Sequence, residues 1–189
     1  MFQEYLLQFQ RVLSQMECSD TTGSFPFEQG VNTAIEVIAA VKRDGHKLLW
    51  VGNGGSAAIA SHSAADYFRT GDIKTQCFSD ASLLTCMGND FGYPEIFARP
   101  VSIYAEAGDV LVAISSSGQS VNILNAVDSA IAKGCKVLSL SGFKADNPLR
   151  KKGNLNFYVP SAEYGYVELA HGILCHSFLD LFMKGSRCN

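Results

Sequence analysis

The stretches Leu48-Leu49-Trp50-Val51-Gly52-Asn53-Gly54-Gly55-Ser56 and Val110-Leu111-Val112-Ala113-Ile114-Ser115-Ser116-Ser117-Gly118-Gln119-Ser120 decide how this chain folds. In each, an apolar run of strand length ends in a loop of small residues, and a helical pattern follows. Both loops therefore set backbone N–H groups and small hydroxyls at a helix N-terminus, where partial positive charge favours an anion. One such loop carries little information. Two within 189 residues point to a site for a phosphorylated, polyhydroxylated ligand.

Outward from these stretches, apolar runs predict strands at 47–52, 75–79, 109–115, 135–140 and 155–159. Helical spacing predicts segments near 56–69, 82–105 with a break from Gly88 to Pro94, 120–133 and 165–184. Two helices lead the chain. The first, 2–16, aligns Phe2, Leu6, Phe9 and Leu13; the second, from about Phe27 to Arg43, aligns Val31, Ala34, Ile35, Ile38 and Val41 and stops at Gly45. Residues 18–24 read as a polar link between them. Apolar strands alternating with helices predict an α/β fold, a doubly wound five-stranded parallel sheet with helices on both faces. The common order for such a sheet is 2-1-3-4-5, with ligands bound beyond the carboxyl ends of its first and third strands. The two loops end those two strands. The whole chain, 1–189, reads as one domain: leading helices over 1–45, then an α/β core and closing helix over 46–189.

Composition narrows the function. At 47% hydrophobic and 17% charged the chain can bury a full core. A net charge of −3 lacks the basic stripe that nucleic acid requires, so no nucleic-acid partner is expected. Met1 to Gln8 is interrupted by polar residues and does not read as a signal peptide, and no run reaches the roughly 18 apolar residues of a membrane span. Cys18, Cys77, Cys86, Cys135, Cys175 and Cys188 are scattered without zinc-ribbon or thioredoxin spacing, and four lie in apolar runs as small core residues. A reduced, cytoplasmic protein is the expectation.

Asn53, Gly54 and Gly55 suit positive φ and a close approach of ligand to backbone, with Ser56 as a natural helix cap; a tight strand-to-helix turn would explain the same residues. The second loop is harder to read as a turn. A turn does not need Ser115, Ser116, Ser117 and Ser120 together, whereas a phosphate with several acceptor oxygens uses many small donors.

With Gly88-Asn89-Asp90-Phe91-Gly92 lying between them, these loops resemble the sugar isomerase (SIS) domain and, more narrowly, the sedoheptulose 7-phosphate (phosphoheptose) isomerases. The resemblance covers nearly the whole chain and implies a five-stranded parallel sheet and a homotetramer with active sites between subunits. It implies that Asn53, Gly54 and Gly55 line the sugar, that Asn89 and Asp90 join the site, and that Ser115, Ser116, Ser117 and Ser120 hold the phosphate; Ser56 is also counted among the substrate-binding residues. It also sets a histidine and a glutamate one helical turn apart, here His62 and Asp66, and on the last helix a glutamine and a histidine, here Glu168 and His176. Aspartate for glutamate and glutamate for glutamine are departures.

Interconverting ketose and aldose phosphates moves a proton between adjacent carbons through an enediol, work suited to a carboxylate and an imidazole. Asp66 and His176 are the catalytic candidates by position, with Asp66 and Glu168 also counted among the substrate-binding residues. His62 and Asp66, at i and i+4, can chelate a divalent ion or form a polar pair on a solvated face. The resemblance makes His62, Asp66, Glu168 and His176 a candidate zinc set. Glu168 and His176 are nonetheless about 12 Å apart along a straight helix axis at 1.5 Å per residue, too far for one small ion to take both easily. Elsewhere, Trp50 reads as core, His46 as exposed, His171 as packing or site, and Arg69 as a substrate counter-charge or a helix-dipole partner. Lys144 and Arg150-Lys151-Lys152 read as a solvated loop. The expected function is isomerisation of sedoheptulose 7-phosphate to a heptose 7-phosphate, supplying heptose for a surface polysaccharide or glycoconjugate. A non-catalytic SIS module that binds sugar phosphate or protein, or an isomerase of five- or six-carbon sugars, would use the same serines. A pure binder has no use for Asp66, Glu168 and His176 together.

Overall fold

The computed structural model describes residues 1–187, so Cys188 lies outside the described residues. The chain opens with α1 (Phe2–Ser14), β1 (Glu17–Ser19), β2 (Ser24–Phe25) and α2 (Phe27–Arg43). It continues through β3 (Lys47–Gly52), α3 (Gly55–Arg69), β4 (Lys74–Cys77), α4 (Ala81–Phe91) and α5 (Ala98–Tyr104). The remainder is β5 (Val110–Ser115), α6 (Val121–Ala132), β6 (Lys136–Ser141), β7 (Leu155–Tyr158) and α7 (Tyr164–Arg187).

Alternation along the strands builds a core on each side of one sheet. In β3, Leu48 and Trp50 pack under α2, α3 and α7, while Leu49 and Val51 pack under α5 and α6. On α2 the buried positions are Gly30, Val31, Ala34, Ile38 and Val41, one stripe at helical spacing, and Gly45 turns the chain at φ 74°. The break between α4 and α5 falls at Gly92, φ 83°, followed by a single 3-10 turn at Tyr93–Glu95. Cys18, Cys135 and Cys175 are buried, Cys77 packs partly buried against the core and Cys86 is exposed. Among the described residues no helix is long and apolar enough to cross a membrane.

The sheet runs β2-β1-β7-β6-β5-β3-β4. Its parallel part, β4-β3-β5-β6-β7, has the expected order. The polar link expected over 18–24 is instead an antiparallel hairpin on the β7 edge, pairing Cys18 with both Phe25 and Phe157. Its polar residues make the turn: Asp20 Oδ1 accepts the Thr22 N–H at 2.7 Å and the Gly23 N–H at 3.1 Å. Part of the basic loop is absorbed into the same edge. Arg150 pairs with Glu17 at 2.6 Å and stands over the Tyr158 ring at 4.4 Å, and Lys152 pairs with Asp128. His46 is half-buried beside Asp109 rather than exposed, because β3 and β5 begin next to each other there.

On α7, His171 is fully buried and its Nε2 lies 3.2 Å from the Ser141 carbonyl at the end of β6, with Nδ1 unpartnered. Burial pushes its pKa down to about 4. The unfolded chain then binds more protons between about pH 6.5 and 4, so stability is full above that window and falls as pH drops through it. Between pH 7 and pH 5 the expected loss from this residue is roughly 2 kcal/mol. Urea unfolding at both values, repeated on His171→Leu, checks this: the variant should lack that share of the pH dependence.

Candidate active site

Parallel pairing of β3 with β5 sets Gly52 opposite Ile114, so the two loops leave the sheet side by side. They are locked together by a reciprocal amide pair. Asn53 Nδ2 donates to Asn122 Oδ1 at 2.9 Å and Asn122 Nδ2 donates to Asn53 Oδ1 at 2.8 Å. Tyr93 Oη donates to the same Asn53 oxygen at 3.1 Å. The first loop enters α3 through Gly54, the N-cap residue, at φ 55° and ψ −122°. Ser56 is therefore not the cap that its type predicts: glycine geometry starts the helix earlier and leaves Ser56 buried in the first turn.

Between the loops lies a cavity of about 280 Å³ lined by Asn53, Gly54, Gly55, Ser56, Ser115, Ser116, Ser117, Ser120, Tyr164 and Glu168. The serine loop shapes itself with its own hydroxyls. Ser115 Oγ accepts the Gly118 N–H at 3.2 Å and donates to Ser120 Oγ at 3.4 Å, while Ser117 Oγ accepts the Gln119 N–H at 3.2 Å. Ser116 differs: its hydroxyl is buried and has no hydrogen-bond partner. A buried hydroxyl is normally paired, so an orphan in a polar cavity at two helix N-termini marks a place for an acceptor. No lysine or arginine lines the cavity.

A second group stands on the facing sides of α3 and α7. Tyr67 Oη donates to the Cys175 carbonyl at 2.9 Å in the buried seam between the helices, which brings their neighbours Asp66 and His176 together. Asp66 Oδ2 lies 3.2 Å from His62 Nε2 and 3.7 Å from His176 Nδ1, and Asp66 Oδ1 lies 3.3 Å from Arg69. One ligand atom from each of His62, Asp66 and His176 lies within 4.8 Å of the others, a set that could hold a metal ion. Arg69 thus faces Asp66 and does not line the serine cavity.

Glu168 is not part of that trio. Its carboxylate lies over Gly55, where an added Cβ would collide with it. It lines both the serine cavity and an open groove of about 590 Å³ that runs along α7 past Ile59, Leu169 and Ile173 to His176. Asn89 and Asp90 are not brought to the cavity: both are exposed on α4, bonded to each other at 2.9 Å, and the segment reaches the loops through Tyr93 instead.

Three residues of this arrangement escape a reading of sequence alone: Asn122, Tyr93 and Tyr164. For Asn122 a signal exists. It is a second asparagine just beyond the second loop, mirroring Asn53 within the first.

A model of the SIS domain matches residues 4–142. A phosphoheptose isomerase of Geobacter sp. (strain M21) is 35% identical over 167 residues, covering 82% of this chain and 86% of the relative. Among solved structures, a phosphoheptose isomerase from Neisseria gonorrhoeae superposes with a TM-score of 0.76 at 33% identity, over 82% of this chain and 86% of that one. One from Francisella tularensis, at 24% identity, shares the fold with a TM-score of 0.84 over 97% of this chain and 96% of that one. Order of strands, paired loops and these similarities agree: the chain belongs to the SIS domain family, alongside the phosphoheptose isomerases.

Proposed function

We propose that this chain is an aldose–ketose isomerase that converts sedoheptulose 7-phosphate into a heptose 7-phosphate through an enediol, supplying heptose for a surface polysaccharide or glycoconjugate in the cytoplasm. The orphaned Ser116 hydroxyl, in a cavity of serines at two helix N-termini, carries the phosphate half of this reading. The names of the relatives carry the sugar half. Asn53, Gly54 and Gly55 flank the carbon chain. Ser56, Ser115, Ser116, Ser117 and Ser120 surround the phosphate, with neutral donors in place of cations.

Zinc fits the His62, Asp66 and His176 group by its donors, two imidazoles and a carboxylate. A bound ion there supplies Lewis-acid polarisation of the sugar's carbonyl oxygen. Without an ion, Asp66 and His176 at 3.7 Å form an acid–base pair for the hydroxyl protons. A homotetramer with sites between subunits is part of the same proposal. It draws support from the apolar side chains left exposed on α1, Phe2, Leu6 and Leu7, and on the α7 groove, Leu169 and Ile173.

Ser116→Ala tests the phosphate assignment. Removing an unpaired buried hydroxyl should leave thermal stability unchanged or slightly raised, while loss of one bond to a charged group, about 1.5–3 kcal/mol, should raise KM roughly 10- to 150-fold with kcat little changed. An unchanged KM would remove the assignment.

Exhaustive chelation tests the metal. Activity lost to a chelator and restored by zinc, with lower metal content in His62→Ala, means that the trio holds the ion. Full activity without metal means that it works as an acid–base and hydrogen-bonding cluster alone. In either case His176→Ala should slow turnover by about 10²–10⁴, read in a coupled or NMR assay, and a near-normal rate would exclude His176 from the chemistry.

A further inference from the structure

We infer that Asn147, on the turn that follows β6, is a positioning residue for phosphate binding, an assignment that rests on the reading of the serine cavity as the phosphate site. Asn147 does not line that cavity, so whatever it does to a ligand it does through the serine loop. The point of contact is Gly118. That residue turns the loop at φ 62°, a conformation open to glycine, and a Cβ added there would collide with the Asn147 carboxamide. The Asn147 side chain thus occupies the space that any side chain at Gly118 would need.

Asn147 is itself held firmly. It is 1% exposed, and every polar atom of its side chain is paired. Its Nδ2 donates to the Lys144 carbonyl at 2.8 Å, to the Gly142 carbonyl at 3.2 Å and to Ser141 Oγ at 3.3 Å, while its Oδ1 accepts the Arg150 N–H at 2.9 Å. One amide therefore ties the end of β6 to the turn over 144–150. Two residues further on, Leu149 is fully buried in the same core cluster as Ile123 of α6, and its N–H donates to the Gly118 carbonyl at 3.1 Å. The same turn thus meets Gly118 twice, by a side chain packed against it and by a backbone hydrogen bond.

This contact supplies what the loop's own bonds cannot. The Ser115 and Ser117 hydroxyls accept the N–H groups of Gly118 and Gln119, which fixes the shape of the loop but not its place on the sheet. On the β3 side that place is set by Asn53 and Asn122. On the β6 side, where Ser141 pairs with Ser115, it is set by Asn147 and Leu149. Neutral donors bind an anion only at hydrogen-bond distance and in line, so a loop free to shift on one side loses phosphate contacts together.

The test uses the full chain, with steady-state kinetics on sedoheptulose 7-phosphate and calorimetry with inorganic phosphate. In Asn147→Ala, which empties the space against Gly118, KM and the dissociation constant for phosphate should both rise about tenfold while kcat stays within about threefold of the parent's. A merely structural role would lower the melting temperature and the active fraction, hence kcat, with KM and phosphate affinity unmoved. In Ser116→Ala/Asn147→Ala the rise in KM should fall well short of the product of the two single effects, because the hydroxyl that Asn147 helps to place is already gone. If Asn147→Ala does not fold, Asn147→Ser, which keeps a hydroxyl for the Arg150 N–H, should show the same split at about threefold. Phosphate affinity within twofold of the parent's in the folded variant, or fully multiplicative effects in the double variant, would overturn the assignment and leave the phosphate reading standing. A parent protein that does not bind inorganic phosphate would overturn the phosphate reading, and this assignment with it.

Discussion

The site depends on two strands being neighbours. Because β3 and β5 pair in parallel with Gly52 opposite Ile114, two loops that are far apart in the chain emerge at one edge of the sheet. Adjacency alone would leave them free to move relative to each other. The Asn53–Asn122 pair removes that freedom, since each amide both donates and accepts and the two bonds together fix distance and orientation. Asn122 is buried, so losing either partner would strand a polar group at about 1–3 kcal/mol, and the clamp is correspondingly hard to open.

On the proposed function, the clamp would let a cavity without lysine or arginine hold a dianion. Neutral hydroxyls and helix N-termini act only at short range, so their positions must be set before the ligand arrives. Ser115, Ser117 and Ser120 are set by bonds within the loop, and Ser116 is left over as the unsatisfied donor. A lysine would attract the phosphate from farther away but would also neutralise Glu168 across the same small space. Neutral donors leave that carboxylate without a cation to pair with.

Legibility from sequence followed periodicity. The five parallel strands, their order and the helices between them were readable because each buries a regular apolar stripe, as in β3 and α2. The β1–β2 hairpin was not, because three-residue and two-residue strands carry no period and the Asp20 turn has the composition of a link. In the site, glycine and serine loops announced the cavity, and His62 and Asp66 announced each other by their spacing. Residue type makes Ser56 a natural cap and does not report that Gly54 adopts φ 55° first. Tyr93 and Tyr164 reach the site from irregular entry points, where no spacing rule says which way a side chain points. Asn89 and Asp90 lie just before Tyr93, and of the three only the tyrosine bonds to the paired loops.

Helix α7 turns these separate features into one arrangement. Its inner face is fixed by His171 against the Ser141 carbonyl and by the Cys175 carbonyl against Tyr67, so the rod can neither slide nor roll on the sheet. Its outer face then presents Glu168 to the serine cavity and His176 to the α3 trio, two turns apart. Glu168 is not among the three side chains whose ligand atoms lie within 4.8 Å of one another, and about 12 Å of helix axis separates its position from that of His176. The glutamate at this position changes more than one ligand's identity. It adds an uncompensated negative charge at the junction of two pockets, and the absence of a Cβ at Gly55 is what gives that charge room.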